Sequence, residues 1–435
     1  QVSCLVLLSG CMSLEWRGGM IPHLKMASSK GSEEPVRDYF RPPLRETTQN
    51  WSQFRGPKKD GHAPTPTVVM DWKRPPKARW SMPCGLGHSS IITSGKLVIT
   101  LEQDGNQEIL TARKLDDGTA VWKVSEKTKW HDSMSGIGPR STPTLSQGKI
   151  YALFSNGRLS CVDANNGETI WNTQTVGADY DFPEWGLSAS PLVWNGLIIL
   201  NPGGDNSAAQ AYAKDSGDLI WTSSLHGRGV YMSPDILSLL GEDHLVVALE
   251  GKIAGLNPNN GDTLWEKPWK IFLNNAQIVQ PIAISENSFL LAAGYGKGAE
   301  CFSIQHGAGK KRYLIDSIWT SKDLKAKFSN PVLKDGYLYG LSENLLVCLE
   351  AKSGKRMWRG KKYGYGRILL VDDNLLILGH SGVLSIIEAK PDEFREIYSK
   401  QLLSDARCWN GPAWVNGYLI ARNGEQIACF DWAKR

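Results

Sequence analysis

The stretch Ser141-Thr-Pro-Thr-Leu-Ser-Gln-Gly-Lys-Ile-Tyr-Ala-Leu-Phe-Ser-Asn-Gly-Arg-Leu-Ser-Cys-Val-Asp-Ala-Asn-Asn-Gly-Glu-Thr-Ile-Trp171 decides the fold. Three turn signals punctuate it: Gln147-Gly148, Asn156-Gly157 and Asn166-Gly167. Asn-Gly between apolar runs marks a tight hairpin, because both turn residues need positive φ. Four short strands fit between the turns, at about 142–145, 149–154, 158–162 and 168–173, with no room for a helix.

Its closing phrase recurs along the chain. Glycine, three residues and tryptophan occur at Gly118/Trp122, Gly167/Trp171, Gly217/Trp221, Gly261/Trp265 and Gly354/Trp358. These tryptophans lie 49, 50, 44 and 93 residues apart. A fixed period of roughly 40–50 residues signals a repeat architecture. A small or polar residue, usually proline, opens each unit, with a turn glycine five residues on: Ser90/Gly95, Pro143/Gly148, Pro191/Gly196, Pro331/Gly336 and Pro412/Gly417. Pro234, Pro281 and Ile368 open less regular units, which brings the openings to eight.

The third strand of each unit carries a small residue six positions before the turn glycine: Ala112, Cys161, Ala211, Gly255, Ser303 and Cys348, with Cys429 matching in the last unit. A large apolar residue mostly follows, and alternation sends the two to opposite sheet faces. In the fourth strand, Val121, Ile170, Ile220, Leu264 or Met357 precedes the tryptophan, a pattern that predicts burial on both faces. Sheets stacked small against large around an axis describe an all-β propeller of four-stranded antiparallel blades, whose closed ring protects its edges. The last unit holds only three strands before the chain ends, and the segment around Trp80 supplies an unpaired strand to close it. Eight blades result, or seven if the seventh unit, which lacks the tryptophan phrase, is not a full blade.

The organisation follows: a truncated lipoprotein-type signal over 1–11, a flexible polar tether over 12–50, a lead-in over 51–75 and the propeller over 76–435. Leu5-Val-Leu-Leu-Ser-Gly-Cys11 is an apolar run resembling a bacterial lipobox, with lipidation expected at Cys11. No run approaches the ~18 apolar residues of a membrane-spanning helix. The net charge of +5 over 435 residues is not clustered, so no nucleic-acid partner is expected. Cys161, Cys348 and Cys429 share one slot in separate blades and should be free, buried thiols. Cys84 and Cys408 precede the openings of adjacent units, and a bridge between them would reinforce ring closure.

The phrases Asp163-Ala-Asn-Asn-Gly-Glu-Thr-Ile-Trp171, Asn257-Pro-Asn-Asn-Gly-Asp-Thr-Leu-Trp265 and Glu350-Ala-Lys-Ser-Gly-Lys-Arg-Met-Trp358 resemble the repeat of pyrroloquinoline quinone (PQQ)-like propellers. Asn50-Trp-Ser-Gln-Phe-Arg-Gly-Pro57 with Asp60-Gly61 resembles the lead-in of a bacterial envelope branch of that superfamily. The resemblance implies eight blades and one of two functions. Quinoprotein dehydrogenases hold PQQ and calcium on the axis beneath an adjacent Cys-Cys pair, and this chain has no Cys-Cys. Propeller lipoproteins of the outer-membrane β-barrel assembly machinery are non-catalytic scaffolds, and the plan of lipobox, tether and propeller resembles theirs. No Gly-x-Ser-x-Gly elbow, His-x-x-x-His or Cys-x-x-Cys occurs, so neither a serine nucleophile nor a zinc site is expected.

Function must then lie in the loops joining one blade's outer strand to the next blade's inner strand, which emerge on one face. They bring forward His131, Asp132, Arg140, Asp181, Trp185, Arg228, Tyr231, Tyr365, Arg367, Arg407 and Trp409. Aromatic and arginine side chains converging on one mouth suit a binding funnel. The expected protein is a monomeric, periplasm-facing scaffold or binding module of the bacterial cell envelope that presents this face to a protein or polymer and carries no metal. The alternative is a PQQ- and calcium-dependent oxidoreductase using the same funnel.

Overall fold

The computed structural model describes residues 49–204, 208–272, 276–308 and 312–434, together with the backbone of two paired strands, Met12–Trp16 and Pro22–Met26. Cys11 lies outside the described residues. Eight four-stranded antiparallel sheets form the ring. Blade 2 follows the turn grammar closely, with strands Thr144–Ser146, Lys149–Leu153, Arg158–Asp163 and Thr169–Gln174. Blade 7 is complete, from Arg367–Val371 to Glu396–Gln401, which settles the count at eight. Tyr398 takes the place of its tryptophan, opposite Ile386. Blade 8 is closed by the segment Lys77–Pro83, which pairs with Gln426–Asp431 and sets Trp80 opposite Cys429.

The small-residue slot is where each tryptophan sits. Ala112 pairs with Trp122, Cys161 with Trp171, Ala211 with Trp221, Gly255 with Trp265 and Cys348 with Trp358. In blade 5 the slot belongs to Cys301, opposite Trp319, and not to Ser303 as the spacing suggested. The outer strands of blade 5, Gly298–His306 and Tyr313–Ser321, are longer than in the other blades, so the slot lies further from the turn that joins them. In every blade the register shifts beside this slot, a bulge that adds local twist.

The repeated glycine has a mechanical role. Each lies in the left-handed region, φ +71 to +78, and its bare Cα receives the tryptophan of the preceding blade. A Cβ on Gly118 would meet Trp80, one on Gly167 Trp122, one on Gly217 Trp171, one on Gly261 Trp221 and one on Gly354 Trp319, in each case at 2.4–2.7 Å. Most of these indoles also donate Nε1–H to a carbonyl of the same neighbour: Trp80 to Leu115 (2.8 Å), Trp122 to Ala164 (3.2 Å), Trp171 to Lys214 (3.2 Å) and Trp319 to Ala351 (3.1 Å). Trp265 departs from the pattern: it donates to His244 Nδ1 and stacks on Phe289. The residue before the tryptophan is not buried. Val121, Ile170, Ile220 and Met357 are 38–55% exposed, because outer strands diverge at the rim of a propeller and leave that face open.

Cys84 and Cys408 are free thiols rather than a bridge. Each is satisfied locally: Cys408 Sγ donates to Arg422 O and Cys84 Sγ to Asn423 O. Cys161, Cys348 and Cys429 are free and buried.

Two devices organise the axis. Blade-opening residues hand hydrogen bonds from one blade to the next: Gly411 N to Ser90 Oγ, Ser90 N to Thr142 Oγ1, Thr142 N to Ser190 Oγ, Ser190 N to Ser233 Oγ and Gln280 N to Asn330 Oδ1, all at 2.7–3.0 Å. The lead-in then crosses one mouth of the ring. Trp51 exchanges bonds with Thr93 of blade 1, and Ser52 O accepts from Leu145 N of blade 2. Lys59 Nζ donates to Pro234 O and faces Asp235 Oδ1 of blade 4 at 3.4 Å. Arg55 Nη2 donates to Pro331 O of blade 6 at 2.6 Å. Gly61 O and Ala63 N bracket Leu370 of blade 7, and Thr67 N donates to Asn416 Oδ1 of blade 8. One short segment thus ties six blades together and stops the channel.

Candidate functional site

The other mouth opens into a cavity of about 490 Å³ on the axis. Its floor includes Phe54 of the lead-in, so the cavity is blind. The walls come from the loops between blades: His88, Ser133, Met134, Ser135, Arg140, Trp185, Tyr231, Lys327, Phe328, Tyr365, Arg367 and Trp409, with Tyr295 from a hairpin within blade 5. The inter-blade hydrogen-bond ring contributes Ser90, Ser190 and Ser233.

Aromatic rings pack edge to face or in offset stacks around it. Trp185 stacks on Tyr231 (4.7 Å) and on Tyr295 (6.5 Å). Phe328 meets Tyr365 (5.5 Å) and Trp409 (5.2 Å), and His88 lies 5.2 Å from Trp409. Such pairs are worth about 0.5–1.5 kcal/mol each beyond area burial, which stiffens the wall. The Lys327 ammonium lies 4.6, 4.9 and 5.3 Å from the Tyr295, Tyr365 and Phe328 ring centres, held by cation–π attraction. Trp185 Nε1, Trp409 Nε1 and Tyr295 Oη are buried polar atoms without a hydrogen-bond partner among the described residues.

The electrostatics are one-sided, since no Asp or Glu among the described residues lines the cavity. Arg140, itself part of the wall, is neutralised from behind: its Nη2 donates to Asp132 Oδ2 (2.5 Å), Ser135 Oγ (2.7 Å) and Gly136 O (2.7 Å). Burial pulls Arg140 down to about 10, and Asp132 opposes that shift. Arg367 is also lowered to about 10 by burial, and it donates Nε to Trp409 O at 2.7 Å. Burial pushes Lys327 below the usual lysine range, although Glu343 pulls the other way. His88 Nε2 donates to Ser135 O (2.7 Å), and burial, helped by the Arg140 charge, depresses it to about 3, so it is neutral.

Of the residues expected at the site, Arg140, Trp185, Tyr231, Tyr365, Arg367 and Trp409 line the cavity. Arg407 reaches its edge, over the Trp409 ring at 4.7 Å and bonded to Ser135 O. Asp132 acts behind the wall through Arg140. Asp181 and Arg228 pair at 3.2 Å away from the lining, both well exposed, and His131 is exposed outside it. Lys327 and Phe328 escaped sequence reading although they sit in the same class of loop, since that loop lacks the Trp and Arg that drew attention to the others. Tyr295 belongs to a hairpin inside a blade, and Phe54 to a segment read as separate from the ring.

Comparison with known proteins places this arrangement. A family model described as outer membrane protein assembly factor BamB matches residues 73–180 and 105–360. The BamB of Yersinia pestis is 24% identical over 379 residues, covering 83% of this chain and 79% of that relative. The crystal structure of BamB from Moraxella catarrhalis has a TM-score of 0.57 at 14% identity, covering 82% of this chain and 98% of the other. Quinohemoprotein alcohol dehydrogenase ADHIIG of Pseudomonas putida HK5 has a TM-score of 0.61 at 12% identity, covering 88% and 80%. At these identities the two structural likenesses establish the fold alone. The family match spans more than half of the chain, and with it the protein belongs to the PQQ-like propeller family of the outer membrane protein assembly factor BamB.

Proposed function

We propose that this chain is a non-catalytic scaffold of the bacterial cell envelope that serves outer-membrane protein assembly and docks a protein partner on its loop face. Family membership supports the first part. The asymmetry of the two faces carries the second. One mouth is stopped by the lead-in, while the other gathers Trp185, Tyr231, Tyr365, Arg367, Arg407 and Trp409 around an open cavity. Aromatic and arginine anchors around a concavity are the residue types that dominate interface energetics. Anchoring at Cys11 would hold the ring at the membrane, and labelling with a fatty-acid analogue that persists in Cys11→Ala would refute it.

A PQQ–calcium pair does not match these residues. Calcium takes about six to eight oxygen ligands, mostly carboxylate and carbonyl. No carboxylate among the described residues lines the cavity, and Asp132 is committed to Arg140. Among the described residues no cluster of three or more His, Cys, Asp or Glu could hold a metal ion.

The docking reading is tested by replacing Trp185, Arg407 and Trp409 together with alanine. Co-purification with the outer-membrane assembly proteins should be lost while the variant keeps a cooperative melting transition, at a lowered midpoint because the ring pairs of Trp185 and Trp409 are gone. Undiminished co-purification would move the docking surface elsewhere.

A further inference from the structure

We infer that the axial cavity is itself a small-molecule site, selective for an aromatic carboxylate of one or two rings. Such a site is independent of any scaffold role of the ring. A volume of about 490 Å³ lies within the roughly 300–1,000 Å³ of ligand pockets. Aromatic walls supply stacking faces, and the floor at Phe54 limits the length of a guest.

Charge selects the guest. Lys327 makes no ion pair and no hydrogen bond among the described residues, and the Glu343 carboxylate acts on it only through space. Arg367 spends Nε on Trp409 O, and neither of its amino groups has a partner among the described residues. Two cations therefore face a cavity without a carboxylate. Burying cations without a counter-charge is unfavourable, and a bound carboxylate would satisfy both. An aromatic cage alone would favour a cationic guest, but Lys327 already occupies this one.

The test uses the full chain, in the presence of a chelator, with 2-naphthoate, neutral 2-naphthalenemethanol and cationic 2-naphthylmethylammonium as probes. Binding is followed by calorimetry and by quenching of tryptophan fluorescence. Naphthoate should bind saturably and at least about tenfold more tightly than either analogue, the scale of a charge-assisted hydrogen bond. Lys327→Met with Arg367→Gln should abolish that preference, whereas Lys361→Gln on an outer strand should keep it. Equal binding of the three probes, preference for the ammonium, or no saturable binding at millimolar concentration would each overturn the inference. The three-probe comparison uses the unmodified protein, so it decides the matter even where a variant fails to fold.

Discussion

The contact between the repeated glycine and the neighbouring tryptophan can be isolated by comparing two glycines of one blade. Gly167 and Gly148 share a left-handed backbone, φ +78 and +75. A Cβ on Gly167 would stand 2.7, 2.8 and 2.9 Å from Cδ2, Cγ and Cε3 of Trp122, whereas one on Gly148 would meet nothing within 4 Å. The backbone cost of alanine in this region, about 1–2 kcal/mol, is common to both. At Gly167 the obstacle is the centre of an indole ring rather than a flexible chain end. Trp122 must therefore withdraw, with overpacking worth about 1–3 kcal/mol and strain on its bond to Ala164 O. Gly148→Ala should lose about 1–2 kcal/mol and Gly167→Ala about 2–5 kcal/mol. Urea unfolding followed by tryptophan fluorescence reads both. Gly118→Ala against Gly95→Ala repeats the comparison in blade 1, with Trp80 as the obstacle and open space at Gly95. Equal losses within each pair would refute the role assigned to the glycine–tryptophan contact.

Two further outcomes follow from buried charge. Burial raises Asp235 and lowers Lys59, each against the pull of the other, so the pair is held at a desolvation cost. Lys59→Met should destabilise by about 3–5 kcal/mol because it strands Asp235, and adding Asp235→Asn should restore most of the loss in a denaturant titration. His88 titrates near 3 in the folded protein, below the ordinary 6.5, so the unfolded chain binds a proton first as pH falls. Stability should therefore decline below about pH 6.5, with a His88 contribution of up to about 1.4 kcal/mol per pH unit, and His88→Gln should flatten the profile between about pH 6 and 4.

Much of the ring was legible because its signals are local. Turn glycines, the small residue opposite tryptophan and the missing last strand are fixed by backbone geometry and hairpin pairing within one unit. Trp80 opposite Cys429 follows from that grammar alone. What could not be read depends on how loops from different blades meet. Lys327 looks like an ordinary loop lysine until Tyr295 and Tyr365, from separate connections, are seen around it. Trp51–Gly61 resembled a lead-in, yet nothing local shows that Arg55 reaches Pro331, 276 positions away. Val121 and Ile170 misled for a related reason: two-faced apolar strands signal burial only where neighbouring sheets stay close, and at the rim they diverge.

Site-specific photo-crosslinking in cells tests the asymmetry of the two faces most directly. A photoreactive residue is placed at Met134, exposed at the cavity mouth, or at Lys96, exposed in a turn beside the stopped mouth. Docking on the loop face predicts an adduct with an outer-membrane assembly protein from position 134 and none from position 96. An adduct from position 96 alone would contradict it.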